Sequence, residues 1–457
     1  MFIIPRTDEQ KTPGDESPGR GERGEDEAPE PKGPPLPKSP TASWINLLGL
    51  FCCICAVWWI RDHGQSLSSV LSTSIVLGAL ALPILILELL ILRTYRNPST
   101  GIDFDRPADK NLPRAVIKYL GFVATIGLVL CVYWVFPEYQ GTFFDPYYTM
   151  IRVGIPLLLI VALPYFLIID RYMAEPRDGY WHVGQLLFCR WRAVDWNILW
   201  QHTLGWVVKL FFLPLMFLWL AGNVESLRFN DLSEVWDSFS GSYDFLILVL
   251  YSVDLVFGCV GYLLTIRLFD THIRSTEPSV LGWVVAIGCY SPFSELIFGN
   301  YLVYQDGREW WGWWADNPMM YKAWGTMILF LVFVYTWATF QFGLRFSNLT
   351  HRGILTNGPY RFTKHPAYVC KNLSWWLISM PFLSTAGWSE ALRQVLLLLG
   401  VNLIYLLRAR TEERHLSSDP DYVQYGKAMD ERSIFSWLGR LIPIFRYRTG
   451  RLFNKTD

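Results

Sequence analysis

A chain of 457 residues with 52% hydrophobic and only 18% charged residues is short of charge for a soluble protein, where about a quarter is usual. Its formal net charge is zero, which removes the basic field that a nucleic-acid partner requires. The eight cysteines are scattered, and Cys52-x-x-Cys55 lies in an apolar run with no second pair nearby. They read as small buried hydrophobes, with neither a disulfide framework nor a zinc site.

Residues 1–43 are rich in Pro, Gly, Glu and Lys, with almost no apolar residue after Ile4. Such a stretch buries too little surface to fold, so a disordered tail is expected. No apolar region follows the first basic residue, which argues against a signal peptide. From Trp44 the pattern changes to apolar blocks of membrane-spanning length. They fall near 44–60, 69–92, 115–136, 147–170, 203–221, 243–266, 280–298, 323–343, 366–388 and 391–407. The expected fold class is therefore all-α, a polytopic transmembrane helical protein of about ten spans. The first block is short, and the ninth contains Lys371, Asn372 and Pro381. The run Trp310-Trp311-Gly312-Trp313-Trp314 fits either an interfacial aromatic belt or a packed loop core.

The basic residues alternate between loops. Arg93, Arg96, Arg106, Lys110 and Arg114 lie between blocks two and three, and Arg171, Arg177, Arg190 and Arg192 between four and five. Arg267 and Arg274 follow block six, and Arg345, Arg352, Arg361 and Lys364 follow block eight. Loops on the other side carry few, such as Arg61, Arg152, Arg228, Arg308 and Lys322. Ten spans with both termini cytoplasmic place every basic-rich loop inside. Three regions result: the tail at 1–43, an N-terminal transmembrane region of about seven spans at 44–320, and a C-terminal membrane core with its tail at 321–457. Lys209, Asp244, Asp254 and Glu295 sit singly in the earlier blocks, where packing or snorkelling explains them. Glu295 belongs to Ser-Pro-Phe-Ser-Glu, a broken-helix signal that suits a cavity wall.

The chemistry concentrates in Thr356–Asn372 and in Arg408-Ala-Arg-Thr-Glu-Glu-Arg414. Ionisable groups in a membrane protein are costly, and so mark a functional site. Gly358-Pro359 signals a turn that returns Tyr360 and Arg361 toward the membrane face. Pro366 suits the first turn of a helix, and His365 before it is held extended. The free N–H groups of that helix start, with Arg361 and Lys364, make an expected anion site. Tyr360 and Tyr368 suit stacking on an adenine or facing a sulfonium. Arg408 and Glu412 lie one helical turn apart, and Arg410 is near Glu413 and Arg414. One carboxylate there can hold an ammonium while an arginine fork holds a carboxylate. Asp419-Pro-Asp-Tyr422-Val-Gln-Tyr425 reads as a turn and a helix with two tyrosines. Each piece alone has a plainer reading as topology-setting charge, solvated helix end or loop histidine.

Asn-Gly-Pro-Tyr-x4-His-Pro-x-Tyr, an apolar hairpin, Arg-Thr-Glu-Glu and a Tyr-x-x-Tyr pair together resemble the C-terminal core of isoprenylcysteine carboxyl methyltransferases. Phospholipid N-methyltransferases share much of this pattern. The resemblance covers about residues 320–457 and implies S-adenosylmethionine as cofactor. It implies Tyr360, Lys364, His365, Pro366, Tyr368 and Glu413 as cofactor-binding residues. It places Arg408, Arg410 and Glu412 at the catalytic centre, and a lipophilic substrate entering from the bilayer. Lys364 stands where the family usually has Arg, and Cys370-Lys371-Asn372 departs from it where a glycine often follows. A longer N-terminal membrane part followed by such a C-terminal core also resembles the sterol C14-reductase and lamin B receptor group, which uses NADPH. That group carries Gly-Trp-Trp-Gly where this chain has Gly358-Pro-Tyr-Arg361, so methyl transfer is the expected activity. A lipid reductase and a non-catalytic membrane scaffold are the alternatives.

Overall fold

The computed structural model describes residues 35–447, and residues 1–34 of the expected tail lie outside them. Among the described residues, eight helices are long and apolar enough to cross a membrane. In chain order the helices are α1 (Ser43–His63), α2 (Ser69–Leu87), α3 (Leu112–Val135), α4 (Asp145–Ile169), α5 (Gly179–Leu187) and α6 (Trp196–Phe229). They continue with α7 (Phe239–Leu263), α8 (Val280–Ile287), α9 (Pro318–Gln341), α10 (Pro366–Ser379), α11 (Trp388–Leu416) and α12 (Pro420–Arg432). Side-chain caps set many starts: Asn111, Asp178, Asp195, Ser238, Ser279 and Asn317 each accept a backbone N–H of the following first turn. Large apolar side chains such as Leu128, Val153, Ile160, Phe330 and Leu403 face outward, as lipid-facing surfaces require. The protein is an all-α polytopic membrane protein.

The core sits around α6, whose 34 residues make it roughly 51 Å long. Phe212, Phe217, Phe257 and Tyr262 are completely buried where α6 meets α7, with Ile45, Leu80 and Ile84 from α1 and α2 packed on the same cluster. Phe212 and Tyr262 stack with ring centroids 5.5 Å apart.

Two expected spans have a different form. The stretch 280–298 is not one helix: α8 stops after eight residues, and a short helix Phe293–Leu296 and a wide turn Ile297–Tyr301 follow Pro292. The expected ninth span is the fourteen-residue α10, about 21 Å long, which ends at Met380 (φ 44°) before Pro381. It is shorter than a hydrocarbon core of about 30 Å. Both segments still lead away from the polar end of the bundle. At the opposite end Asp306 accepts from Ser384 Oγ at 3.0 Å and Thr385 N at 3.2 Å, while Trp324 Nε1 donates to Leu377 O at 2.8 Å. The Trp-rich run is largely loop core: Trp310 is buried against Tyr243 and Tyr321, and Trp314 packs on Trp324, while Trp311 is exposed.

Residues 36–43, expected within the tail, are pinned to the polar end. Thr41 Oγ1 donates to Gln341 O and Ser43 Oγ to Gln341 Oε1, both at 2.7 Å. Ser39 Oγ donates to Asn357 Oδ1 at 3.0 Å, and Thr356 Oγ1 to Pro37 O at 2.8 Å. Backbone carbonyls and Asn side chains supply what an apolar core would otherwise have to provide.

Buried charge fastens the same end. Arg345 grips Glu88 through both nitrogens at 2.8 and 3.1 Å, each side chain 1% exposed. Arg352 gathers the carbonyls of Gly261, Leu264, Thr271, Leu344 and Phe346. This joins the end of α7 to the loop after α9, where Ser275–Thr276 pairs antiparallel with Thr350–His351. Removing one member of a buried pair strands the other charge, at a cost of about 3–5 kcal/mol. Arg345→Met should therefore lower the melting temperature of the detergent-solubilised protein sharply. The double variant Arg345→Met/Glu88→Leu should recover most of that loss, and a thermal melt of the three proteins checks it.

Candidate functional site

The polar end encloses a cavity of about 980 Å³, counting its open mouth. Residues from α8 (Gly282, Ala286), Tyr290, α9 (Tyr335, Thr339), the loop 346–350, the turn at Tyr360, the start of α10 and the last turns of α11 line it. The turn forms because Gly358 adopts φ 55°, close against Gln341, and Pro359 follows it. Tyr425 Oη then donates to Tyr360 O at 2.8 Å. Burial pushes the Tyr360 phenol well above its ordinary pKa, with Glu412 and Tyr425 adding to it.

Of the residues singled out in sequence, Tyr360, Lys364, His365, Tyr368, Arg408 and Glu412 line the cavity together. Tyr368 Oη donates to Glu412 Oε2 at 2.7 Å, and its ring stacks on His365 with centroids 5.5 Å apart. Arg408 is 7% exposed and donates to the neutral Asn348 Oδ1 at 2.6 Å. The rings of Tyr368, Tyr290 and Tyr405 surround its guanidinium at 5.1, 5.5 and 5.8 Å. Among the described residues no carboxylate lies within ion-pair distance of it. A buried guanidinium with one neutral acceptor has unspent capacity for a carboxylate.

Three residues occupy other places. Glu413, expected to bind cofactor, is buried behind the wall among three side chains: Lys364 at 2.9 Å, His365 at 3.2 Å and Arg410 at 2.6 Å. Arg410, expected near the acceptor, also donates to Arg446 O at 2.8 Å and does not line the cavity. Its position three residues before Glu413 on one helix turns it toward that carboxylate. Pro366 is buried as the first residue of α10 and serves the helix start rather than the cavity. The expected anion site at that helix start is also altered. Arg361 is exposed, and the Lys364 charge is taken up by Glu413 and by Asp430 at 3.4 Å. The Tyr422–Tyr425 pair packs with Tyr447 and Ile354 beneath the site as scaffold.

Asn348, Tyr290, Tyr405, Lys371 and Glu277 belong to the cavity and were not assigned to it from the sequence. For Tyr290 a signal existed in the broken-helix motif that follows it directly, although the glutamate of that motif, Glu295, is itself exposed. Lys371 stood out as unusual, and lies 5.5 Å from the Tyr335 ring and 5.7 Å from that of Trp375. Asp254 accepts from Tyr335 Oη at 2.5 Å just behind it.

Fold and site together define an integral-membrane protein with a polar, aromatic-lined cavity at one end of its bundle. Residues 323–418 match the Isoprenylcysteine carboxyl methyltransferase (ICMT) family, so the C-terminal part of the chain is ICMT-like and a longer N-terminal region precedes it. The chain matches no curated protein and no solved structure. The family match supports a membrane methyltransferase.

One cavity-side group couples the site to pH. His351 lies next to the lining residue Thr350, with Nε2 3.0 Å from Asp419 Oδ2. Burial, then Arg274 and His415, lower its pKa to about 4 against a smaller opposing effect of Asp419. The unfolded chain takes up this proton near pH 6.5 while the folded one resists it, so the stability from the neutral ring is present above about 6.5 and lost as pH falls toward 4. Melting temperature should drop between pH 7 and 5, and His351→Gln should flatten that part of the profile.

Proposed function

We propose that the protein transfers a methyl group from S-adenosylmethionine to a carboxylate on a lipophilic acceptor. The observation that carries this reading is Arg408, a buried, aromatic-caged guanidinium in the cavity with no acidic partner among the described residues. The donor set suits the cofactor as well: Glu412 and Glu277 are carboxylates for its ammonium or hydroxyls, Lys364 is a cation, and Tyr360 and Tyr368 present ring faces. When bound, the cofactor supplies an electrophilic methyl carbon on a sulfonium sulfur. An acceptor carboxylate held by Arg408 would take that methyl, with the C–S bond's electron pair left on sulfur. No proton is released, so no general base is needed.

The side chains then have positioning tasks. Arg408 orients the acceptor carboxylate, and Tyr290, Tyr368 and Tyr405 exclude water around it. Glu413 holds Lys364 and His365 in place from behind. An amine acceptor would need a base, and the cavity carboxylate Glu412 already accepts a hydrogen bond from Tyr368. The loops that hold Arg345, Arg352, Lys364 and Arg267 lie at the cavity end, which supports a cytosolic mouth for the cofactor and a bilayer route for the lipid.

Calorimetry on detergent-purified protein tests the cofactor class: S-adenosylhomocysteine should bind saturably and NADPH should not. Binding of NADPH alone would make the protein a reductase, and binding of neither a scaffold. For the acceptor, Arg408→Ala should cut kcat/KM about 100-fold, the loss of a charged hydrogen-bonded contact of roughly 3 kcal/mol. Arg408→Lys should recover only part, because the planar fork is lost.

A further inference from the structure

We infer that Glu277, outside the family-matched segment, is a ligand-binding carboxylate that accepts a hydrogen bond from a donor group of the adenosyl cofactor; this rests on the methyltransferase reading above. Glu277 lines the cavity and is 2% exposed. Its two carboxylate oxygens have unequal surroundings. Oε1 accepts from Ser279 N at 2.9 Å, from Ser279 Oγ, and from Arg414 Nη2 at 3.2 Å. Oε2 is buried and has no hydrogen-bond partner among the described residues.

A structural role alone accounts for Oε1. It caps the start of α8 beside Ser279 and pairs with Arg414. It leaves Oε2 unexplained, because a buried carboxylate oxygen without a donor is costly. The backbone is also arranged to hold this side chain still. Glu277 N donates to Leu349 O and Trp283 Nε1 to Glu277 O, both at 2.8 Å. A side chain at Gly282 would come within 2.5 Å of Glu277 Cγ and 2.7 Å of Cδ, so only glycine leaves the carboxylate its place. The two-stranded ladder Ser275–Thr276 with Thr350–His351 hangs it directly on the loop that carries Asn348.

The chemistry of a lone carboxylate oxygen specifies a donor: an ammonium or a hydroxyl. Lys364 is already committed to Glu413 and Asp430, and Glu412 to Tyr368. Glu277 Oε2 is thus an acceptor with no partner among the described residues, while Glu412 spends one oxygen on Tyr368, and Arg408 and Lys371 line the cavity without a carboxylate partner among those residues. The adenosyl cofactor offers two matching donors, the amino-acid ammonium and the ribose hydroxyls.

The test is calorimetry on the full-length protein, wild type against Glu277→Gln, with S-adenosylhomocysteine and with 5′-methylthioadenosine, which keeps the ribose but lacks the amino-acid end. S-adenosylhomocysteine affinity should fall about 10- to 100-fold in the variant, the size of a charge-assisted hydrogen bond. An equal fall for methylthioadenosine assigns the ribose, and an unchanged methylthioadenosine affinity assigns the ammonium; both support the proposal. A variant that melts like wild type and binds both ligands as tightly overturns it. If Glu277→Gln does not fold, Glu277→Asp keeps the charge and retracts the oxygens by one methylene. The same fall is expected there, and unchanged affinity overturns the proposal. Wild-type protein that binds neither ligand overturns the methyltransferase reading and this inference with it; wild-type binding with an unaffected variant overturns this inference alone.

Discussion

The site depends on one buried carboxylate. Glu413, 5% exposed, is held by Lys364 and His365 from the loop before α10 and by Arg410 from its own helix. Arg410 and Lys364 extend the network to Arg446 and Asp430 in the C-terminal segment. A carboxylate taken out of water needs such compensation, and the cations Lys364 and Arg410 need an anion, so each side fixes the other. The consequence is geometric. With Glu413 directed behind the wall, its neighbour Glu412 is turned into the cavity, together with Arg408 one helical turn before it. The order Arg-x-x-x-Glu-Glu thus separates a structural carboxylate from one that faces the cavity.

The remainder of the polar end repeats that logic with backbone groups. Arg352 is spent on carbonyls where α7 ends and the loop after α9 begins, and Arg345 on Glu88 at the end of α2. Residues 36–43 bond to Gln341, Thr356 and Asn357 around the same turn. These ties make one platform from segments far apart in sequence. Arg408 is the exception within it. Its neutral partner Asn348 is itself fixed, because both its backbone N–H and its side-chain amide donate to Tyr262 Oη, at 3.0 and 2.8 Å. The guanidinium is thus oriented without being neutralised.

What was legible in the sequence was local. Pro366 after His365 marks a helix start, and the four- and three-residue spacings from Arg408 to Glu412 and from Arg410 to Glu413 put those pairs within reach on one helix. Hydropathy marked ten blocks, and among the described residues eight helices are long and apolar enough to cross a membrane. What was hidden was which carboxylate faces inward, because that follows from Lys364 and His365 meeting Glu413 across the fold. Asn348 and Glu277 were hidden for a related reason: they meet Arg408 and Arg414 across sequence separations of 60 and 137. The block at 366–388 read as one span because hydropathy averages through the left-handed turn at Met380. The break at 288–292 was signalled by proline, but not that it would put Tyr290 against Arg408.

The central claim is that cofactor and acceptor share one cavity, built by the ICMT-like segment and completed by the N-terminal region. Photo-cross-linking of methyl-labelled S-adenosylmethionine to the purified protein, followed by peptide mapping, tests it most directly. The account predicts label on peptides holding Tyr360–Tyr368 or Arg408–Glu412 and on the peptide holding Glu277–Tyr290, competed by S-adenosylhomocysteine. Label confined to other parts of the chain, or on the first set with the second consistently unlabelled, would contradict it.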